Sequence, residues 1–265
     1  MAWNVERFGD VNGEPVVLLH SSGLSGRQWR RLAKRLEALG FSVSVPDLTG
    51  HGAAAAWPEP EPFSYRHDVD AFVKVLKAGP RTHVVGHSYG GLIAILAALE
   101  VPEAVRSLVL FEPVAMGVLD PQADADAEAE LERLHVPWGS APEQHEAWLR
   151  GFVDYWGGVG AWDALREEAR AEFRRVGWVV HEEVETLARD KTPRSAYRVI
   201  ECPVTLITAE RSPLAAGRVV GHLGKSLPNA RVITLPGVGH MAPLAQADLV
   251  NDLIVSALGS QDPRN

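Results

Sequence analysis

Thr82-His83-Val84-Val85-Gly86-His87-Ser88-Tyr89-Gly90-Gly91-Leu92-Ile93-Ala94-Ile95-Leu96-Ala97-Ala98-Leu99 is the stretch that decides the fold. Its first four residues are half apolar and β-branched, as in a buried strand, and its last eight are good helix formers. Between them Gly86-His87-Ser88-Tyr89-Gly90 matches G-x-S-x-G, a strand that turns sharply into a helix with serine at the bend. Glycines at 86 and 90 let strand and helix pass close to each other. The bend strains the serine backbone and exposes its hydroxyl at the end of the sheet. The N–H of Tyr89 and the start of the helix then add partial positive charge beside it. The motif alone also fits a glycine-rich turn with an incidental serine; the flanking strand and helix favour a nucleophile.

Outward from this bend the chain alternates strands and helices. Val16-Val17-Leu18-Leu19 is a continuous apolar run, expected of a strand covered on both faces, and it ends in His20-Ser21-Ser22-Gly23. Trp29, Leu32, Ala33, Leu36 and Leu39 recur at helical spacing, with Gly40 as the stop. Residues 41–45 form the next strand, closed by Pro46-Asp47-Leu48-Thr49-Gly50-His51-Gly52. Three prolines make 53–62 a loop, and 68–77 is a helix with Val69, Phe72, Val73 and Leu76 on one face. After the serine bend, 107–111 is a strand ending in Glu112-Pro113.

The texture then changes. Residues 117–194 show no strand pattern and open on a run of acids (Asp120, Asp124, Asp126, Glu128, Glu130, Glu132) that reads as a solvated helix face. This segment holds five of the eight tryptophans: Trp138, Trp148, Trp156, Trp162 and Trp178. Most are expected to pack its core, and the functional alternative is that some line a pocket. Strands return at 204–208 and 231–235, with helices at 217–227 and 248–258; residues 260–265 read as a disordered tail. The expected fold class is α/β: a mostly parallel, doubly wound sheet from residues 1–116 and 196–265, interrupted by a helical insertion over 117–195.

Composition bounds the function. A net charge of −8 argues against nucleic acid or an anionic membrane as partner. The N-terminus lacks a basic-then-apolar signal pattern, no apolar run is long enough to span a bilayer, and a cytoplasmic location is the expectation. The single cysteine, Cys202, excludes an internal disulfide and a cysteine-based metal cluster, and reads as a buried structural thiol. His181-Glu182-Glu183 lacks the second histidine of a zinc-protease helix, and Gly237-Val238-Gly239-His240-Met241-Ala242 sits at the wrong end of the chain, and too close to Pro243, for a dinucleotide fingerprint. No cofactor and no metal are inferred.

Four segments in register, His20-Ser21-Ser22-Gly23, Asp47-Leu48-Thr49-Gly50-His51-Gly52, Gly86-His87-Ser88-Tyr89-Gly90 and Gly237-Val238-Gly239-His240, resemble the α/β-hydrolase fold in order and spacing over nearly the whole chain. The insertion resembles the helical cap of that family. The resemblance implies Ser88 as nucleophile, His240 as its base, and an oxyanion hole from the N–H groups of Tyr89 and Ser22; Ser21 stands where the family usually has glycine. It implies that His51 holds a loop together and that His87 points into the sheet.

The carboxylate that orients the base departs from the usual pattern. The family's acid commonly follows the strand after the cap in a Gly-x-x-Asp turn, but here that turn reads Ala209-Glu210-Arg211-Ser212, with Ser212 at the acid's position. Some members place the acid one strand earlier, which here is Glu112. A glutamate ending an apolar strand is costly to bury without a partner, and a histidine that becomes cationic is one. Glu112 is therefore preferred, with Glu210 as the alternative. The implied activity is serine hydrolysis of a small, largely apolar ester, lactone or related acyl compound through an acyl-enzyme. The alternatives are hydrolysis of a C–C bond with the same triad, a haloperoxidase-like side activity, or a ligand receptor with little turnover on the same scaffold. A serine rather than an aspartate at the bend argues against a dehalogenase or epoxide hydrolase.

Overall fold

The computed structural model describes residues 3–259. The tail expected at 260–265 lies outside the described residues. Among the described residues seven strands form one sheet: β1 (Asn4–Phe8), β2 (Glu14–Leu19), β3 (Phe41–Asp47), β4 (Thr82–His87), β5 (Val105–Phe111), β6 (Val204–Ala209) and β7 (Ala230–Leu235). Their order is β1-β3-β2-β4-β5-β6-β7, with β1 antiparallel to β3 and every other pair parallel. The doubly wound sheet expected from the sequence is present. The edge strand β1 was not foreseen: Asn4, Glu6 and Arg7 dilute its apolar pattern, and its pairing depends on β3 rather than on its own residues.

The strands run apolar because both faces are covered. Alternate side chains point to opposite faces. Val16, Leu18, Val85, Val109 and Phe111 therefore pack against Trp29, Leu32 and Leu36, alongside α1 (Arg30–Ala38) and α10 (Ala247–Gly259). Val17, Leu19, Val84, Leu108 and Leu110 pack against α2 (Arg66–Ala78) and α3 (Tyr89–Glu100) on the other face. Helix α3 is buried on all sides from Tyr89 to Ala98, which explains a sequence with almost no polar stripe. It starts at Tyr89, three residues ahead of the helix-prone run at Leu92, because tertiary packing overrides the poor propensity of Gly90 and Gly91.

The bend is tight enough to require its glycines. A Cβ on Gly86 would lie 2.6 Å from the Gly90 carbonyl oxygen, and one on Gly90 would lie 2.4 Å from that of Leu19. Between β5 and β6 the chain builds only helices among its regular elements: α4 (Ala125–Leu131), α5 (Pro142–Gly157), α6 (Ala161–Ala164) and α7 (Glu167–Leu187). Trp138, Trp148, Trp156 and Trp162 are buried within or under this segment, and Trp178 is half-buried, so packing accounts for most of the tryptophans. Helices α8 (Leu214–Ser226) and α9 (Ala242–Ala245) complete the core. Among the described residues no helix is long and apolar enough to cross a membrane. Parallel strands end at one edge, so the loops carrying Ser22, Ser88, Glu112, Glu210 and His240 gather at that edge.

Gly90→Ala forces a methyl into backbone and is expected to destabilise the protein by about 1–3 kcal/mol or more. Gly221→Ala, on α8 with nothing within 4 Å of the added methyl, is expected to stabilise by about 0.5–1 kcal/mol. Paired urea melts that give the two variants the same stability contradict this account of the bend.

Candidate active site

Ser88 closes β4 and opens α3 with φ 54° and ψ −117°. Its own N–H donates to Phe111 O at 3.0 Å and its carbonyl accepts from Leu92 N at 3.0 Å, so the strained residue is held from both neighbouring elements. It is buried but lines a cavity of about 240 Å3 together with Ser22 and apolar side chains that include Val114, Met116, Leu119, Phe152 and Trp156.

His240 is buried on the loop after β7, and its Nδ1 meets Glu112 Oε2 at 2.7 Å. Glu112 is fully buried at the end of β5. It also accepts from Thr208 Oγ1, Ala209 N and Ser212 Oγ, each at 2.8 Å. Burial alone pushes its carboxyl up. The hydrogen bond and charge of His240, joined by Ala209 N–H and Ser212, outweigh burial and hold it below the usual range. With φ 42°, Glu112 is the other non-glycine residue in the left-handed region among the described residues. The structure thus brings Glu112, not Glu210, to His240. Glu210 is exposed and accepts from Gly237 N at 2.7 Å, bracing the loop that leads to the histidine. Ser212, at the position where the resemblance leads one to look for an acid, instead donates to the carboxylate arriving from β5.

His87 contributes more than burial in the sheet. Its Nδ1 accepts from Gln28 Nε2 at 3.0 Å and its Nε2 donates to His240 O at 3.0 Å, with the two rings 4.9 Å apart. Burial, reinforced by nearby His240, drives its pKa well down, which keeps it neutral for one bond of each kind. The residue before the serine therefore anchors the loop of the imidazole. His240 also meets the ring of Trp156, centroids 4.2 Å apart. Trp156 also walls a second, open groove of about 820 Å3 that reaches His240, Met241 and Arg211.

The loop after β2 is fixed by two neutral histidines. His20 Nδ1 donates to Ser21 O at 2.8 Å and its Nε2 accepts from Leu48 N at 2.9 Å; burial first, then His51, lowers it to about 3. His51 Nδ1 donates to Thr49 O at 2.9 Å and its Nε2 accepts from Gly23 N at 3.0 Å, and burial lowers it too. His51 thus ties the loop after β2 to the loop after β3. Ser22 itself reaches Glu183 of α7, Oγ to Oε2, at 2.5 Å.

Beneath the bend, Tyr89 OH donates to Asp68 Oδ2 at 2.9 Å, and Oδ1 accepts from Trp3 Nε1, Thr49 N and Thr49 Oγ1. Asp68, fully buried, locks the helix start that presents the Tyr89 N–H. Asp68, His87, Trp156 and Glu183 carry no signature in the sequence, because their partners lie far along the chain. Among the described residues no three His, Cys, Asp or Glu side chains converge in a way that could hold a metal ion.

A model of the alpha/beta hydrolase family matches residues 16–253. The chain is similar to a pimeloyl-[acyl-carrier protein] methyl ester esterase from Chromobacterium violaceum, 34% identical over 246 residues, covering 89% of this chain and 90% of the relative. It is similar to rhodomycin D methylesterase DauP from Streptomyces sp. (strain C5), 28% identical over 275 residues, covering 91% and 89%. Among solved structures, the enol-lactonase from Burkholderia xenovorans LB400 superposes with a TM-score of 0.73 at 19% identity, covering 97% of this chain and 96% of that one, a likeness of fold.

Because Glu112 lies below its ordinary value, its stabilising bonds act fully above the unfolded-state value near 4.5 and are lost as the pH falls through the lower folded value. The melting-temperature gap between wild type and Glu112→Gln is expected to be widest near neutral pH and to narrow below about pH 4. A gap that stays constant on acidification contradicts the ionised assignment.

Proposed function

This chain belongs to the alpha/beta hydrolase family and is a hydrolase with esterase-type relatives, and from that premise we propose that it is a serine esterase acting through an acyl-enzyme. The observation that carries the reading is the buried 2.7 Å contact of His240 with Glu112, with the backbone of His240 anchored by His87, the residue before Ser88. A buried carboxylate paired with an imidazole beside a strained serine is the set of groups that acyl transfer requires.

Ser88 Oγ attacks the carbonyl carbon while His240 Nε2 takes its proton. Glu112 keeps the Nδ1–H tautomer facing itself and stabilises the imidazolium that forms. The N–H groups of Tyr89 and Ser22 donate to the carbonyl oxygen as negative charge builds on it, where one such donor is worth about 3–4 kcal/mol. His240 returns the proton to the departing alcohol as the tetrahedral intermediate collapses. Water, deprotonated by the same imidazole, then attacks the acyl group and releases the acid and Ser88.

The substrate is a small, largely apolar ester or lactone. The 240 Å3 cavity mixes apolar side chains with Glu128, Glu132 and His135, and its apolar part suits an acyl or alcohol arm of that kind. Two relatives with end-to-end similarity are named as acting on methyl esters, which supports a compact alcohol. Residues 117–195 act as a cap that supplies much of the wall, through Phe152, Trp156, Val184 and Leu187.

Ser88→Ala is expected to lower kcat toward p-nitrophenyl esters by about six powers of ten, and fluorophosphonate is expected to label Ser88 in the wild type. Near-normal turnover in that variant would falsify the nucleophile. Glu112→Gln is expected to lower kcat by about three to four powers of ten while Glu210→Gln stays within about tenfold; the reverse ranking assigns the acid to Glu210.

A further inference from the structure

Glu183 is a carboxyl side chain without a counterion at the centre of the fold. It sits inside α7 with no exposed surface. One oxygen, Oε2, is 2.5 Å from Ser22 Oγ, and the other, Oε1, is buried with no hydrogen-bond partner. The nearest basic group, His51 Nδ1, is 3.8 Å from Oε1 but spends its proton on Thr49 O. A buried acid with one satisfied oxygen is costly, and helix packing alone would be served better by an apolar residue. What it does touch is the loop expected to donate Ser22 N–H. The same helix places Phe173 over Gly23, so that a Cβ there would fall 2.2 Å from the ring, and it reaches the loop after β3 through Arg175 Nη2 to Gly52 O at 3.1 Å.

We infer that Glu183 is a positioning residue for the oxyanion loop: it binds the Ser22 hydroxyl from α7 and so makes the placement of Ser22 N–H depend on the docked helix. The inference rests on the serine-esterase reading of the same site and adds a condition to it. Glu183 must be un-ionised to serve. Burial drives its pKa well up, only partly offset by the Ser22 hydrogen bond, and the negative charge of Asp68 on α2 raises it further. The groups that face it are Ser22, His51, Asp68 and, through Asp68, Tyr89. None is a cation, since His51 is held neutral by burial. As a neutral acid Glu183 adds no charge beside the developing oxyanion. Once ionised it sets a negative charge against the same loop, so activity falls on the alkaline side.

The test compares wild type, Glu183→Gln and Glu183→Ala on a p-nitrophenyl ester, with kcat and KM across the pH range. Glutamine keeps a partner for Ser22 and cannot ionise. It is expected to hold kcat near wild type at neutral pH and to remove the alkaline fall. Alanine leaves Ser22 untethered and is expected to lower kcat about tenfold to a hundredfold with little change in KM. Glutamine and wild-type profiles that superimpose, or an alanine variant that is folded with wild-type kcat, overturn the inference. Fluorophosphonate labelling of wild type separates the two readings. No labelling at Ser88 overturns the serine esterase itself, whereas normal labelling with an unchanged alanine variant overturns only the role of Glu183.

Discussion

Two backbone positions are forced where L-amino acids rarely go, and the site is built on both. Ser88 and Glu112 are the non-glycine residues with positive φ among the described residues, and each ends a central parallel strand. Such conformations cost of order 1–3 kcal/mol each and survive only when the surroundings over-determine them. The surroundings here are specific. Ser88 N is bonded to Phe111 O at the end of β5, and Glu112 N to Ile207 O in β6. The strain is thus held by the ladder that orders the sheet, and the two side chains are fixed before any substrate arrives.

A chain of bonds runs outward from these two points. Glu112 gathers donors from β6 and its following turn and takes the imidazole of His240 as its last partner. His87 ties the backbone of His240 to β4. Asp68, from α2, fixes Tyr89 from below. Glu183, from the helical segment, holds Ser22 from above. Each tie spans a long sequence separation, so the catalytic groups proposed here are positioned by the fold as a whole and not by a local turn. Electrostatics follow the same division: Glu112, held below its ordinary value, is surrounded by donors, and Glu183, driven well above its ordinary value by burial, is left with one.

Much of this was legible in the sequence. Apolar runs such as Val16–Leu19 read as strands because both faces are covered, and the serine bend is spelled out by glycines that nothing larger can replace. The absence of an acid at Ser212 pointed to Glu112, since a charge that ends an apolar strand needs a reason to be there. What stayed hidden was set by tertiary pairing. The edge strand Asn4–Phe8 exists through its pairing with β3. His181-Glu182-Glu183 was legible only as an incomplete metal motif; in the fold His181 turns to the tryptophans Trp138, Trp148 and Trp178 while Glu183 turns to Ser22. Trp156 reads as one of several packing tryptophans until His240 is found against its face.

The central claim is a covalent one: the acyl group of the substrate passes through the oxygen of Ser88. The most direct measurement is peptide mapping by mass spectrometry after rapid acid quench of the protein turning over a slowly deacylating ester. The account predicts the acyl mass on the peptide that contains Ser88, accumulating as the alcohol is released in a burst. An acyl group on a different residue, or ester cleavage with neither an acylated peptide nor a burst of alcohol, contradicts it.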